Sequence, residues 1–74
     1  MTQEEKHAII DKAKELGFIK HYRVANFLWC EHEERFFYLF LDEMMFGEFV
    51  GMYQDKQIIK SPEELETLFN QIIK

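Results

Sequence analysis

Apolar residues near the start of the chain recur at the spacing of an amphipathic helix. They are Ile9, Ala13 and Leu16. Thr2 followed by Glu5 is typical of a capping box, in which the hydroxyl and the carboxylate each accept a backbone N–H at the start of a helix. Gly17 suits the left-handed residue that commonly follows a helix. The pattern therefore predicts a helix from Thr2 to about Leu16.

The end of the chain carries a second and stronger helix signal. Ser61 is a suitable N-cap, Pro62 fits the first helical position, and Glu64 stands where a capping box has its carboxylate. The apolar stripe that follows at helical spacing consists of Leu65, Leu68, Phe69, Ile72 and Ile73. The sequence therefore predicts a C-terminal helix that begins after Ser61 and buries one side.

The segment between the two helices is rich in aromatic and β-branched residues, which favour strands. The predicted strands are Tyr22–Trp29, Arg35–Leu41, Gly47–Tyr53 and Gln57–Lys60. Because the connections are short, polar at 31–34 and suited to a tight hairpin at 54–56, an antiparallel meander is the simplest topology. The predicted fold class is α+β, with an N-terminal helix, an antiparallel meander of three to four strands and a C-terminal helix in one domain, 1–74.

A third helix over 31–46 is the alternative for the middle of the chain. Leu39 and Met44 are good helix formers, and Gly47 could end such a helix. The consecutive aromatic residues Phe36–Tyr38 favour a strand instead.

The period of two along a strand sorts these residues onto the two sides of the predicted sheet. The mainly aliphatic side consists of Val24, Leu28, Phe37, Leu39, Leu41, Val50 and Met52. The opposite side, called the aromatic face, consists of Phe27, Trp29, Phe36, Tyr38, Phe40, Phe49 and Tyr53. Gly47 and Gly51 leave space among these rings. Because two short helices can cover one side of a four-stranded sheet and not both, we expect the aromatic face to stay open.

Three arrangements would account for the aromatic face. The helices could pack on opposite sides of the sheet and make the rings a second layer of core. The face could instead bind a second copy of the chain, which would enlarge a small core, or a different protein. Trp29 and Tyr38 are the expected anchors of an interface, because large rigid aromatic side chains dominate binding energy at such surfaces.

The length of 74 residues accommodates one domain with a small core. Cys30 is the only cysteine, so no disulfide within the chain can stabilise it, and this usage fits a reducing compartment. The N-terminus lacks the basic and apolar regions of a signal peptide. The longest apolar run, Phe36–Leu41, is far shorter than the ~20 residues that span a bilayer. We therefore expect a cytoplasmic protein that does not cross a membrane.

The net charge of −5 is unevenly distributed, with +1 through Cys30 and −6 from Glu31 onward. A surface of this sign repels phosphate groups, which argues against direct binding to nucleic acid or anionic lipid. The order of helix, strands and helix resembles in outline the double-stranded RNA-binding domain. Pro62, Glu63 and Glu64, rather than basic residues, open the second helix here, so the resemblance extends to topology and implies no RNA binding.

Acidic residues after the first strands form a predicted acidic rim, which consists of Glu31, Glu33, Glu34, Asp42, Glu43 and Glu48. Such a rim would steer a basic partner, although acidic clusters are most often simply solvated. In size and charge the chain resembles small inhibitors and immunity-type proteins, which occupy a basic groove of another protein.

Cys30 and His32 are the remaining candidates for chemistry, because residues two apart on a strand point to the same side. A zinc site needs three or four ligands, and a Cys-His nucleophile needs backbone donors that no Gly-rich loop supplies here. The chain also lacks a phosphate-binding glycine motif. We therefore predict no metal, no cofactor and no enzymatic activity.

The predicted function is a noncatalytic interaction module that self-associates through the aromatic face. The expected contact residues are Trp29, Phe36, Tyr38, Phe40, Phe49 and Tyr53, with Glu33 and Glu34 from the acidic rim. The alternative is a small acidic inhibitor that binds a basic groove of another protein. The predicted partner is thus a second copy of the chain or another protein.

Overall fold

The computed structural model describes residues 2–23, 25–50 and 52–73, with the side chains of 50 and 52–56 excepted. These described residues form two helices and a five-stranded antiparallel sheet. The helices are α1 (Gln3–Glu15) and α2 (Pro62–Ile73). The strands are β1 (Ile19–Lys20), β2 (Phe27–His32), β3 (Arg35–Phe40), β4 (Met45–Val50) and β5 (Met52–Ile58). The predicted α+β fold is confirmed, with one strand more than expected.

Both ends of α1 are fixed by local hydrogen bonds. The backbone N–H of Thr2 donates to Glu5 Oε1 at 3.0 Å, and the N–H of Glu5 donates to Thr2 Oγ1 at 3.1 Å, which is the predicted capping box. Gly17 has a φ of 103° and leaves the helix in a left-handed conformation. The N–H of Phe18 then donates to the carbonyl of Ala13 at 2.9 Å, completing a Schellman motif.

The start of α2 differs from the predicted capping box in one bond. The N–H of Glu64 donates to Ser61 Oγ at 3.1 Å, as expected. The Glu64 carboxylate accepts the N–H of Lys60 at 3.3 Å, rather than that of Ser61. The side chain of Glu64 therefore ties the helix to the segment that precedes it.

The first long strand begins later than predicted. Instead of Tyr22–Trp29, the strand β2 begins at Phe27 and continues to His32. His21 Nδ1 accepts the backbone N–H of Arg23 at 3.1 Å, and this local bond holds a turn where the sequence predicted extended chain. The predicted residue Val24 lies outside the described residues.

The hairpin between β4 and β5 lies where the sequence predicted one continuous strand. Val50 pairs with Met52, so the chain reverses inside the predicted strand Gly47–Tyr53. The prediction of a hairpin at 54–56 is wrong, because these residues lie within β5. The strand β5 is at the edge of the sheet, where polar residues are tolerated because one side of the backbone has no neighbouring strand.

Both helices pack on the same side of the sheet. Among the described residues, the core consists of Ile9, Ala13, Phe18, Leu28, Cys30, Phe37, Leu39, Met44, Phe46, Ile59, Leu65 and Phe69. This set joins α1 and α2 to the aliphatic side predicted from β2 and β3. A core shared by both helices excludes the arrangement in which the helices pack on opposite sides of the sheet. The strand over Arg35–Phe40 excludes the alternative of a third helix in this part of the chain.

The centre of the core is a cluster of aromatic rings. Phe69 of α2 meets Phe37 edge-on at 5.2 Å and Phe18 at 5.3 Å between ring centroids. Phe37 and Phe46 stack across the sheet at 6.3 Å. These contacts use geometries that aromatic pairs prefer and hold α2 against the sheet. Neither described helix is both long enough and apolar enough to cross a lipid bilayer.

Candidate protein-interaction surface

The strand register places three rows of side chains on the side of the sheet that faces away from the helices. Cross-strand partners share a side of the sheet, so each row can be followed from strand to strand. The first row is Ile19, Trp29, Tyr38 and Gly47. The second is Phe27, Phe40, Met45 and Ile58, and the third is Glu31, Phe36 and Phe49. The side chain of Tyr53 lies outside the described residues, and the other residues predicted for the aromatic face are on one side of the sheet.

Neither described helix covers this side of the sheet, and it carries large exposed apolar side chains. Phe36 and Phe49 are cross-strand partners and are 40% and 46% exposed. Ile19 and Ile58 are 58% and 56% exposed. The sequence prediction missed both isoleucines because it placed no strand at Ile19 and did not assign Ile58 to a side. The exposed surface is thus wider than the rings alone.

Tyr38 does not project as the expected anchor would. It is only 3% exposed and its ring lies over Gly47, so it fills the space that the sequence predicted to be open. Phe40 meets the Tyr38 ring edge-on at 5.0 Å. Trp29 is half-buried and stacks on Phe36 at 5.8 Å. Tyr38 therefore forms the floor of the surface, and the exposed ring of Phe36 lies beside Trp29.

A concave region, called the aromatic groove, lies among these rings and has a volume of about 330 Å³. Its lining residues are His21, Phe27, Trp29, Phe36, Phe37, Tyr38, Phe40 and Phe49. All of these residues are aromatic, although the ring of Phe37 itself packs in the core on the helix side of the sheet. The sequence prediction missed His21, which lies in the turn before β2, with its ring 5.1 Å from Phe27 and 5.9 Å from Trp29. No periodic pattern marks a residue in a turn, so only the tertiary structure reveals this contact.

The predicted acidic rim is divided among different parts of the molecule. Glu33 and Glu34 form the turn between β2 and β3 and are exposed. Asp42 and Glu43 are also exposed, but they follow β3 and so lie at its opposite end. Glu48 pairs with Phe37 and lies on the helix side of the sheet. The six acidic residues therefore do not form one continuous border.

Glu48 forms an ion pair with Arg35. Arg35 Nε and Nη2 donate to the two carboxylate oxygens of Glu48 at 2.8 and 2.7 Å, and Nη1 donates to the carbonyl of Ile72 at 2.7 Å. The hydrogen bonds from Arg35 lower the pKa of Glu48 below its ordinary value. Arg35 thus joins Glu48 of β4 to the end of α2.

Cys30 and His32 lie on the helix side of β2, since their partners on β3 are Phe37 and Arg35. Cys30 is buried in the core, and burial raises the pKa of its thiol to about 11. The thiol is therefore protonated at neutral pH and is a poor nucleophile. Within the described part of the chain, no three His, Cys, Asp or Glu side chains are grouped so that they could hold a metal ion.

The described residues define a small α+β protein in which two helices cover one side of an antiparallel meander and the other side is open and aromatic. Comparisons with protein-family models, curated proteins and solved structures gave no significant match. The chemistry of the open surface is therefore the basis for a functional proposal.

Proposed function

We propose that this chain is a noncatalytic interaction module that self-associates through its aromatic face. The observation that supports this most is the placement of both helices on one side of the sheet, which leaves Phe36 and Phe49 exposed on the other. Contiguous apolar surface of this kind marks interaction sites in soluble proteins. A second copy would cover the rings and extend the small core of each chain.

The size of the sheet sets the expected strength of self-association. Five strands spaced ~4.8 Å apart, four of which have six or seven residues rising ~3.3 Å each, make a surface of at most about 24 Å by 20 Å. Two such surfaces in contact would bury on the order of 1,000 Å² in total, which is at the lower limit for a specific interface. We therefore expect a reversible dimer whose population rises with protein concentration.

The distribution of charge also supports this interface. Among the strand positions on the open side whose side chains are described, Glu31 is the one charged residue. Two copies meeting through this side would keep most of their net charge of −5 each away from the contact. Repulsion between the copies is then reduced by distance and by salt. The interface should consequently depend on apolar contact more than on ion pairs.

Sedimentation equilibrium over a range of protein concentrations tests the proposal. The weight-average mass of the parent chain should rise towards that of a dimer. Phe49→Glu and Ile58→Glu should shift the association to much higher concentration, because each places a charge at an exposed apolar position on the open side. Thr67→Glu adds the same charge on an exposed position of α2 and should behave like the parent.

Two outcomes would contradict self-association through this face. One is a parent chain that remains monomeric at the highest concentration reached. The other is equal weakening by Ile58→Glu and Thr67→Glu, which would show that added charge acts regardless of its position. Association that survives about 0.5 M salt would agree with an apolar interface, whereas steep weakening would indicate a contact through charged groups.

A further inference from the structure

We propose that the aromatic groove is a binding site for a methylated ammonium group, such as that of choline or of trimethyl-lysine. The groove lies within the face proposed for self-association, but the site requires only the single chain. Binding of the cation and of a second copy would compete for the same surface. Because the cation site needs only one chain, the proposal of cation binding and the proposal of self-association can fail independently.

The walls of the groove consist of aromatic rings rather than mixed aliphatic side chains. The face of an aromatic ring carries negative electrostatic potential and attracts cations within about 6 Å of its centre. Rings in the groove are steeply inclined to one another, with 61° between Phe27 and Phe40 and 63° between Tyr38 and Phe40. Rings so inclined do not lie in one plane, so a compact methylated cation in the groove would contact more than one of them.

Charge favours a cation over a neutral or anionic ligand. Among the described residues, those that line the groove include no lysine, arginine or carboxylate. Glu31 is the cross-strand partner of Phe36 and is exposed at that end of the groove. Glu33 and Glu34 form the turn beyond it. Together with the net charge of −5, these carboxylates would raise the local concentration of cations and lower that of anions.

The loss of water on binding further selects the class of cation. A methylated ammonium group carries its charge behind methyl groups, so an apolar wall can replace its weakly held water. A free ammonium group would lose strong hydrogen bonds that the rings cannot return. The volume of about 330 Å³ is at the lower end of the range for small-molecule sites, which suits a head group and not an extended ligand.

Trp29 is the single tryptophan of the chain and lines the groove, so its fluorescence reports binding directly. Choline chloride would be titrated against the protein, in parallel with the uncharged analogue of choline in which a tert-butyl group replaces trimethylammonium. The two probes have nearly the same shape. We expect choline to bind at least about tenfold more tightly, a ratio that corresponds to ~1.4 kcal/mol.

Variants that remove one ring but keep an apolar side chain separate attraction to the charge from simple filling of space. Phe36→Leu and Phe49→Leu should each weaken choline binding several-fold and leave binding of the neutral analogue little changed. Ile58→Leu is the control, since it alters an exposed apolar side chain on the same side of the sheet that does not line the groove, and it should leave both affinities unchanged. Affinities for the variants would be measured from the broadening of choline methyl proton resonances.

The titrations would be repeated on Ile58→Glu, whose substitution lies outside the lining of the groove and opposes self-association. Equal or tighter binding of the neutral analogue would overturn the proposal and leave an apolar pocket. Absence of choline binding to this variant would also overturn the proposal of a cation site. In a variant that does not self-associate, a second copy cannot be what blocks the groove. A further titration with acetylated trimethyl-lysine amide distinguishes the two kinds of ligand. Tighter binding than choline would indicate a methylated protein as the ligand, and weaker binding would indicate a small molecule.

Discussion

The ring of Tyr38 lies across Gly47, its partner on β4, so closely that a Cβ built on Gly47 would be 2.6 Å from the Tyr38 hydroxyl oxygen. A glycine inside a strand normally weakens it. Here its missing side chain lets the tyrosine ring lie flat on the sheet and become buried. The contact fixes the floor of the aromatic groove.

Gly47→Ala should therefore destabilise the fold by about 1–3 kcal/mol, because the new methyl group overlaps the Tyr38 ring. Urea unfolding measures the loss. Replacing Tyr38 by Leu in the Gly47→Ala background should recover part of it, since the methyl group then has room. An unchanged midpoint for Gly47→Ala would show that the ring moves aside at little cost.

The ion pair of Arg35 with Glu48 predicts a pH dependence of stability. Its hydrogen bonds lower the pKa of Glu48 in the folded chain below the ordinary value of 4.5. The stabilisation is therefore complete above the unfolded pKa and is lost as the pH falls through the lower folded pKa. Glu48→Gln should lower the urea midpoint at neutral pH, and its difference from the parent should shrink below about pH 4. Glu43→Gln removes the same charge at an exposed site and should show little difference at either pH.

The turn between β2 and β3 contains two residues in an unfavourable backbone conformation. Glu33 and Glu34 have φ values of 52° and 68°. Residues other than Gly and Asn rarely adopt φ values in this left-handed region. Glu34→Gly should stabilise the chain by about 1 kcal/mol, since it removes the steric cost of the left-handed region. Glu66→Gly removes the same charge inside α2 and should instead destabilise by about 1 kcal/mol. Thermal melts check this prediction: the melting temperature should rise for Glu34→Gly and fall for Glu66→Gly.

The Ser61 side chain caps α2 through the backbone N–H of Glu64. Ser61→Ala should cost about 1 kcal/mol of stability, and Ser61→Asp should restore most of it because aspartate also accepts that hydrogen bond. A thermal melt of the alanine variant that matches the parent would show that the cap contributes nothing.

Burial of Cys30 predicts slow reaction with thiol reagents. Its pKa of about 11 leaves almost no thiolate at neutral pH, and the side chain is 7% exposed. Labelling with a disulfide reagent should be slow in buffer and fast in denaturing urea. Rapid labelling of the folded chain would indicate frequent local opening of β2.

The sequence by itself determined the helices and the two sides of the central strands. The bonds that fix α1 and α2 join residues a few positions apart, such as Thr2 with Glu5 and Ser61 with Glu64, so a local pattern contains them. The alternation of side chains along β2 and β3 is equally local, and it separated Phe37 from Phe36 before any pairing was known.

Only the tertiary structure decided how these elements meet. The register that places Tyr38 over Gly47, brings His21 to the groove and engages Glu48 with Arg35 depends on pairing between distant segments. The reversal between Val50 and Met52 was missed for the same reason, because the turn that fits is chosen by what β5 must pair with. Local preferences are weak compared with the burial and hydrogen bonding of a whole strand, so the sheet sets the turn.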